Sequence, residues 1–105
     1  MFDFSEQHKI DLEAYMNRHF SYNIPLEKFA KLTGRSLSTF KRDFAKVYDT
    51  TPEKWLQKKR LEQAYFLITQ QNKRPTDVYL EVGFENLSHF STAFKKEFGV
   101  NASGA

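Results

Sequence analysis

Ser38-Thr39-Phe40-Lys41-Arg42-Asp43-Phe44 and Ser88-His89-Phe90-Ser91-Thr92-Ala93-Phe94 state one pattern twice. Each stretch follows a glycine, Gly34 and Gly83. The paired phenylalanines lie 50 positions apart and the glycines 49. A fixed offset of this kind marks a repeated supersecondary unit, here a short helix, a glycine turn and a longer helix. Two such units in one small chain predict two equivalent reading heads, and duplex DNA is the periodic template that such heads fit.

Outward from the two stretches, the periodicity is helical throughout. Leu37, Phe40, Phe44 and Val47 fall at i, i+3, i+7 and i+10, which predicts one apolar face on a helix over about 37–48 with Ser36 as its cap. Ser38, Lys41, Arg42 and Ala45 then point away from the core. In the second copy Phe90, Phe94 and Phe98 share the inner stripe of a helix over about 87–98, leaving Ser88, Ser91, Thr92 and Lys95 outward. Before the first copy, Pro25 starts a short helix, Leu26 to Leu32, that Thr33-Gly34-Arg35 breaks. Its counterpart before the second copy is expected over Thr76–Val82. Thr51-Pro52 is a cap followed by a first-turn proline, and residues 53 to about 70 hold no further Gly or Pro, so a long helix joins the copies. Leu56, Leu61, Ala64, Leu67 and Ile68 form its expected buried stripe. A first helix is expected from Ser5 to Phe20, capped by Ser5, with Ile10, Ala14 and Tyr15 near helical spacing. No β-alternation of useful length occurs. The expected fold class is all-α: two helix-turn-helix (homeodomain-like) subdomains, 5–50 and 72–105, joined by a linker helix over 51–71, within one domain of 105 residues. Seven helices are expected in principle, six of them clearly encoded.

Composition narrows the function. Sixteen Lys and Arg against thirteen Asp and Glu give a net charge of +3, which permits a polyanionic partner without demanding one. There is no cysteine, so disulfides, thiolate zinc sites and thiol catalysis are excluded. No apolar run approaches the roughly 20 residues of a membrane span, and Met1-Phe2-Asp3-Phe4 lacks a basic signal-peptide start. The expectation is a cytoplasmic protein with no membrane association. No nucleophile-base-orienter set, metal-ligand spacing or phosphate-binding glycine loop is present, so neither an enzyme nor a cofactor site is expected. His8, His19 and His89 are isolated from one another.

The outward residues carry the rest. Arg42 is the strongest candidate base reader, because a bidentate arginine on guanine O6 and N7 is the commonest specific contact. Lys41 lies beside it, and Ser36 and Ser38 stand near the helix start. The second face is nearly uncharged, which predicts closer, weaker and more water-mediated reading there. Thr76 and Asn86, at helix starts, and Lys95, near a helix end, are candidates for phosphate contact as well as for capping and dipole roles. Lys54, Lys58, Lys59 and Arg60 read as a solvated basic face of the long helix. The alternative to DNA binding is a helical protein-interaction module that meets an acidic partner.

Val82-Gly83-Phe84-Glu85-Asn86-Leu87-Ser88-His89-Phe90-Ser91 through Phe94-Lys95-Lys96-Glu97-Phe98-Gly99-Val100 resembles the DNA-binding domain of the AraC/XylS transcription regulators. Leu26 to Phe44 resembles that family's first unit, and Thr51-Pro52 with Arg60-Leu61-Glu62-Gln63-Ala64 its linker helix; the resemblance covers about residues 10–100. It implies seven helices, with two recognition helices entering successive major grooves on one face of double-stranded DNA. The family's base-reading positions match Ser38, Lys41 and Arg42 in the first unit and Leu87, Ser88, Ser91 and Thr92 in the second. It further implies a bacterial-type transcription regulator, contact with RNA polymerase, and a separate sensor or dimerisation domain. Many relatives carry a basic residue where Thr92 stands, so the resemblance implies weaker readout by the second unit. After Gly99-Val100 the family continues into a final helix, whereas Asn101-Ala102-Ser103-Gly104-Ala105 reads as a truncated end that lowers stability around Phe98 and Val100.

Overall fold

A computed structural model describes residues 9–105. The described residues hold six α-helices and no strand: α1 Leu12–His19, α2 Leu26–Leu32, α3 Leu37–Tyr48, α4 Pro52–Gln71, α5 Pro75–Val78 and α6 Leu87–Phe98, followed by a 3-10 turn at Ala102–Gly104. They divide into two compact units. The first takes residues 9–19 and 24–55, the second residues 20–23 and 56–105, so α4 contributes to both.

In the first unit α1 begins later than the sequence predicts. Lys9 to Asp11 are nonhelical, and Asp11 caps the helix by accepting the backbone N–H of Ala14 at 3.1 Å. The Ser5 cap lies outside the described residues. The later start shifts the inner face of α1 to Leu12 and Met16, while Ile10 is exposed and nonhelical. Phe29 and Ala30 of α2 and Phe40 and Phe44 of α3 are buried with them, as their spacing predicts. Val47 does not join it: at 45% exposure it faces solvent, and Tyr48 turns inward instead. The reason is aromatic packing. Tyr48 lies 4.5 Å from Phe44 and 4.7 Å from Trp55 by ring centroid, and its hydroxyl donates to the Glu13 carbonyl. Two aromatic partners and a hydrogen bond outweigh the burial of one valine. Burial also raises the Tyr48 pKa, with Glu13 and Asp11 adding to the rise.

In the second unit Leu61, Ala64, Leu67 and Ile68 of α4 pack in one core with Val78, Val82, Phe84, Phe90 and Phe94. The α4 start, which belongs to the first unit, is capped as expected, Thr51 Oγ1 accepting the Lys54 N–H at 3.3 Å. The short helix expected over Thr76–Val82 is a single turn, α5, followed by hydrogen-bonded turns to Gly83. Pro75 supplies its first position, a fixed φ with no N–H to lose.

The repeat extends further than its phenylalanines. Ser36 caps α3 and Asn86 caps α6, each accepting the backbone N–H three residues on, and both helices run twelve residues. Each ends in a left-handed residue at the same offset, Asp49 at φ 55° and Gly99 at φ 77°. Only glycine adopts that conformation without a Cβ penalty, and a carboxylate is also unfavourable at a helix C-terminus. Asp49→Gly is therefore expected to stabilise the chain by up to about 1 kcal/mol, read as a rise of a few degrees in thermal midpoint.

Candidate nucleic-acid interface

Each candidate recognition helix is oriented by its own inner face. Phe40 and Phe44 are wholly buried, so Ser38, Lys41 and Arg42 on the opposite side of α3 are exposed. Phe90, Ala93 and Phe94 do the same for α6 and leave Ser88, Ser91, Thr92 and Lys95 outward. Leu87 differs from these. It is half-buried against the core of the second unit, so it packs inward while still contributing to the surface. In this unit Leu87 and Ser91 line a cleft together with Thr76, Arg74 and Asn101, bringing three of the sequence-predicted site residues to one place.

Capping already occupies part of the expected phosphate set. Ser36 Oγ accepts the Thr39 N–H at 3.2 Å and directs its own proton to Thr39 Oγ1 at 3.0 Å, so it meets a phosphate only by breaking that second bond. Asn86 Oδ1 accepts the His89 N–H at 3.0 Å, which leaves its amide N–H groups for a ligand. Thr76 stands at the second position of α5, exposed and uninvolved in capping.

The first unit also carries a polar cluster that residue periodicity did not indicate. Arg35, with its side chain 8% exposed, donates from Nε to Asp43 Oδ2 at 2.9 Å and from Nη1 to the carbonyls of Ile10 and Thr33 at 2.9 and 3.0 Å. Lys9 Nζ lies 3.7 Å from the same carboxylate oxygen, and Arg42 Nε lies 3.6 Å from the other. The Arg35 hydrogen bond, aided by Lys9 and Arg42, holds the Asp43 pKa below its ordinary 3.8. A contact eight residues apart across a turn leaves no periodic trace in sequence. Arg42, Asp43 and Lys46 open with Lys9 and Arg35 onto a polar groove of this unit.

Arg60 is likewise not part of a solvated basic face. It turns into the second unit, where Nε donates to the Phe20 carbonyl and Nη2 to the Tyr22 carbonyl, both at 2.8 Å. Its burial holds its pKa below the ordinary arginine value. Lys54 and Lys58 stay exposed. His19 lies 4.4 Å from the Tyr15 ring and His89 packs edge-on against Phe84, while His8 lies outside the described residues. No cluster of His, Asp and Glu suited to a metal occurs among the described residues.

Residues 29–104 match the family described as a helix-turn-helix domain. This chain belongs to the AraC-type helix-turn-helix family. The AraC-type chain is 29% identical to the HTH-type transcriptional regulator ExsA of Pseudomonas aeruginosa over 94% of its own length and 36% of that protein. It thus spans about a third of the length of the relatives it matches. The C-terminal domain of AraT, a response regulator from Geobacillus stearothermophilus, superposes with a TM-score of 0.79 at 28% identity, covering 89% of this chain and 78% of that one. The DNA-binding domain of the global transcriptional factor AdpA, solved with a target DNA, superposes at 0.80 and 21% identity over 98% of this AraC-type chain and 89% of its own, a likeness of fold.

Proposed function

We propose that this AraC-type domain binds double-stranded DNA sequence-specifically in transcription regulation, with α3 and α6 entering successive major grooves. The observation that carries the reading is the duplicated scaffold. Two equally long, equally capped helices each bury a phenylalanine stripe and present a polar face able to donate and accept at base edges. Membership of a helix-turn-helix family favours this over a protein-interaction module with an acidic partner.

In this proposal Ser38, Lys41 and Arg42 read bases from α3, and Leu87, Ser88, Ser91 and Thr92 read from α6. Ser36, Thr76, Asn86 and Lys95 set register on the phosphates. The division of labour is unequal. The α3 face brings Lys41, Arg42 and Lys46, whereas α6 places Lys95 and Lys96 only in its last turn. Contact with RNA polymerase, a companion sensor or dimerisation domain, a cytoplasmic location and the absence of enzymatic activity belong to the same proposal. Among the described residues no helix is long and apolar enough to cross a membrane.

The test is selection of the chain against a random duplex library at about 150 mM salt. Two short motifs about 10 base pairs apart support paired recognition helices, and retention without any motif overturns the reading. Substitutions separate the roles. Arg42→Ala is expected to lose about 1 to 3 kcal/mol of discrimination at one or two base pairs. Lys95→Ala is expected to weaken all sequences alike and to flatten the dependence of log K on log salt by about 0.9. Quantitative binding to the selected duplex and to its point variants, at several salt concentrations, checks both.

A further inference from the structure

We propose that Asp43 is a positioning residue for DNA reading: fixed from behind by Arg35, it orients the Arg42 guanidinium and so sets the base preference of the first unit. The inference rests on the DNA-binding reading above.

Asp43 has two carboxylate oxygens with different partners. Oδ2 accepts from Arg35 Nε at 2.9 Å, and Oδ1 faces Arg42 Nε at 3.6 Å. The anchor is rigid, because Arg35 is itself held by the carbonyls of Ile10 and Thr33. Arg42, by contrast, is 62% exposed. An arginine on a solvent face samples many rotamers and loses that freedom when it binds. A fixed carboxylate at its Nε edge restricts the sampling and does not engage the two terminal nitrogens, the pair of donors that guanine O6 and N7 accept. Asp43 does not read bases itself: its side chain is 19% exposed and both oxygens face cations.

The second unit supplies an internal comparison. At the repeat offsets, Arg35 and Asp43 correspond to Phe84 and Ala93, both in the core cluster, and Arg42 corresponds to Thr92. Where no arginine faces outward, the pair behind it is apolar. An apolar pair serves folding at least as well as an ion pair withdrawn from water, so folding alone does not account for the charged pair in the first unit. Orienting a neighbouring guanidinium is a task that Phe84 and Ala93 cannot perform.

The experiment compares the parent chain, Asp43→Asn, Arg42→Ala and the double variant by binding to the parent-selected duplex and to duplexes changed at each base pair in turn. Asp43→Asn is expected to reduce discrimination about 5-fold or more at the base pair whose preference Arg42→Ala also erases, and nowhere else. Affinity for unselected DNA is expected to hold or rise, since a negative charge is removed. In the Arg42→Ala background Asp43→Asn is expected to change no base preference. A uniform loss across all sequences, or an unchanged preference accompanied by a lower thermal midpoint, makes Asp43 a structural strut and overturns the inference. Should Asp43→Asn not fold, Asp43→Glu keeps the charge but displaces it by one methylene. An unaltered preference at the Arg42 base pair in that variant is equally fatal. Failure of the parent chain to select any motif refutes the DNA-binding reading instead, so the two failures are distinguishable.

Discussion

Gly83→Ala unfolds the second unit well below the parent's melting temperature, with an expected cost of about 3 to 5 kcal/mol. The backbone at Gly83 has φ +112°, a region that side chains with a Cβ rarely enter. Space is also absent. A Cβ there would meet the Ser21 carbonyl oxygen at 2.9 Å and Arg60 Nε at 2.7 Å. The first of these is backbone. The second is a side-chain atom that cannot swing aside freely, because it donates to the Phe20 carbonyl at 2.8 Å while Nη2 holds the Tyr22 carbonyl. Moving Arg60 would leave a largely buried cation without its acceptors, which adds about 1 to 3 kcal/mol to a backbone strain of similar size. Gly99 is the control. It also has a positive φ, 77°, but nothing lies within 4 Å of its added Cβ, so Gly99→Ala costs the strain alone. Thermal melts followed by circular dichroism check the pair. A Gly83→Ala midpoint within about 3 °C of the parent would show that the turn yields more easily than its contacts indicate.

Phe94→Ala is the second large effect, at about 3 to 5 kcal/mol. Phe94 has no exposed surface, and its ring lies 5.7 Å from Phe90, 4.7 Å from Phe98 and 6.2 Å from Tyr65 by centroid. Deleting the ring removes its transfer energy and leaves a cavity among side chains that also position α6. Small domains have only about 5 to 15 kcal/mol of stability, so most of it is at stake. Denaturant unfolding of the variant is expected to show an earlier midpoint, with loss of sequence-specific DNA binding in parallel. A variant that kept its stability but lost binding would place Phe94 at the interface rather than in the core.

Helices whose faces alternate clearly were legible from residues alone. Leu26–Leu32, Leu37–Tyr48 and Leu87–Phe98 fall where cap, spacing and glycine place them, and the expected stripe of α4 is buried throughout. What sequence did not disclose depends on contacts between distant residues. Val47 fits the helical period as well as Tyr48 does, and only the neighbouring Phe44 and Trp55 rings decide which turns inward. Arg60 looks like one of four cations on a solvated run until the carbonyls of Phe20 and Tyr22, some forty residues back, are brought to it. The α1 start was misplaced because Ser5 and Asp11 are both good caps, and pattern does not rank them. The outward residues of α3 were legible because amphipathic spacing exposes what it does not bury. The support behind them, Arg35 and Asp43, was not, since it depends on how a turn folds back on a helix.

The matching of cap, ring spacing and closing turn in α3 and α6 separates what the chain must keep from what it can vary. Folding demands fall on the inward and terminal positions, and few of them fall on Ser88, Ser91 or Thr92. If those three positions read bases as proposed, mutational drift there would alter the sequence recognised without disturbing the core beneath. A DNA-binding domain that works as proposed could then acquire a new target site by revising one half of its recognition while the other half keeps its grip.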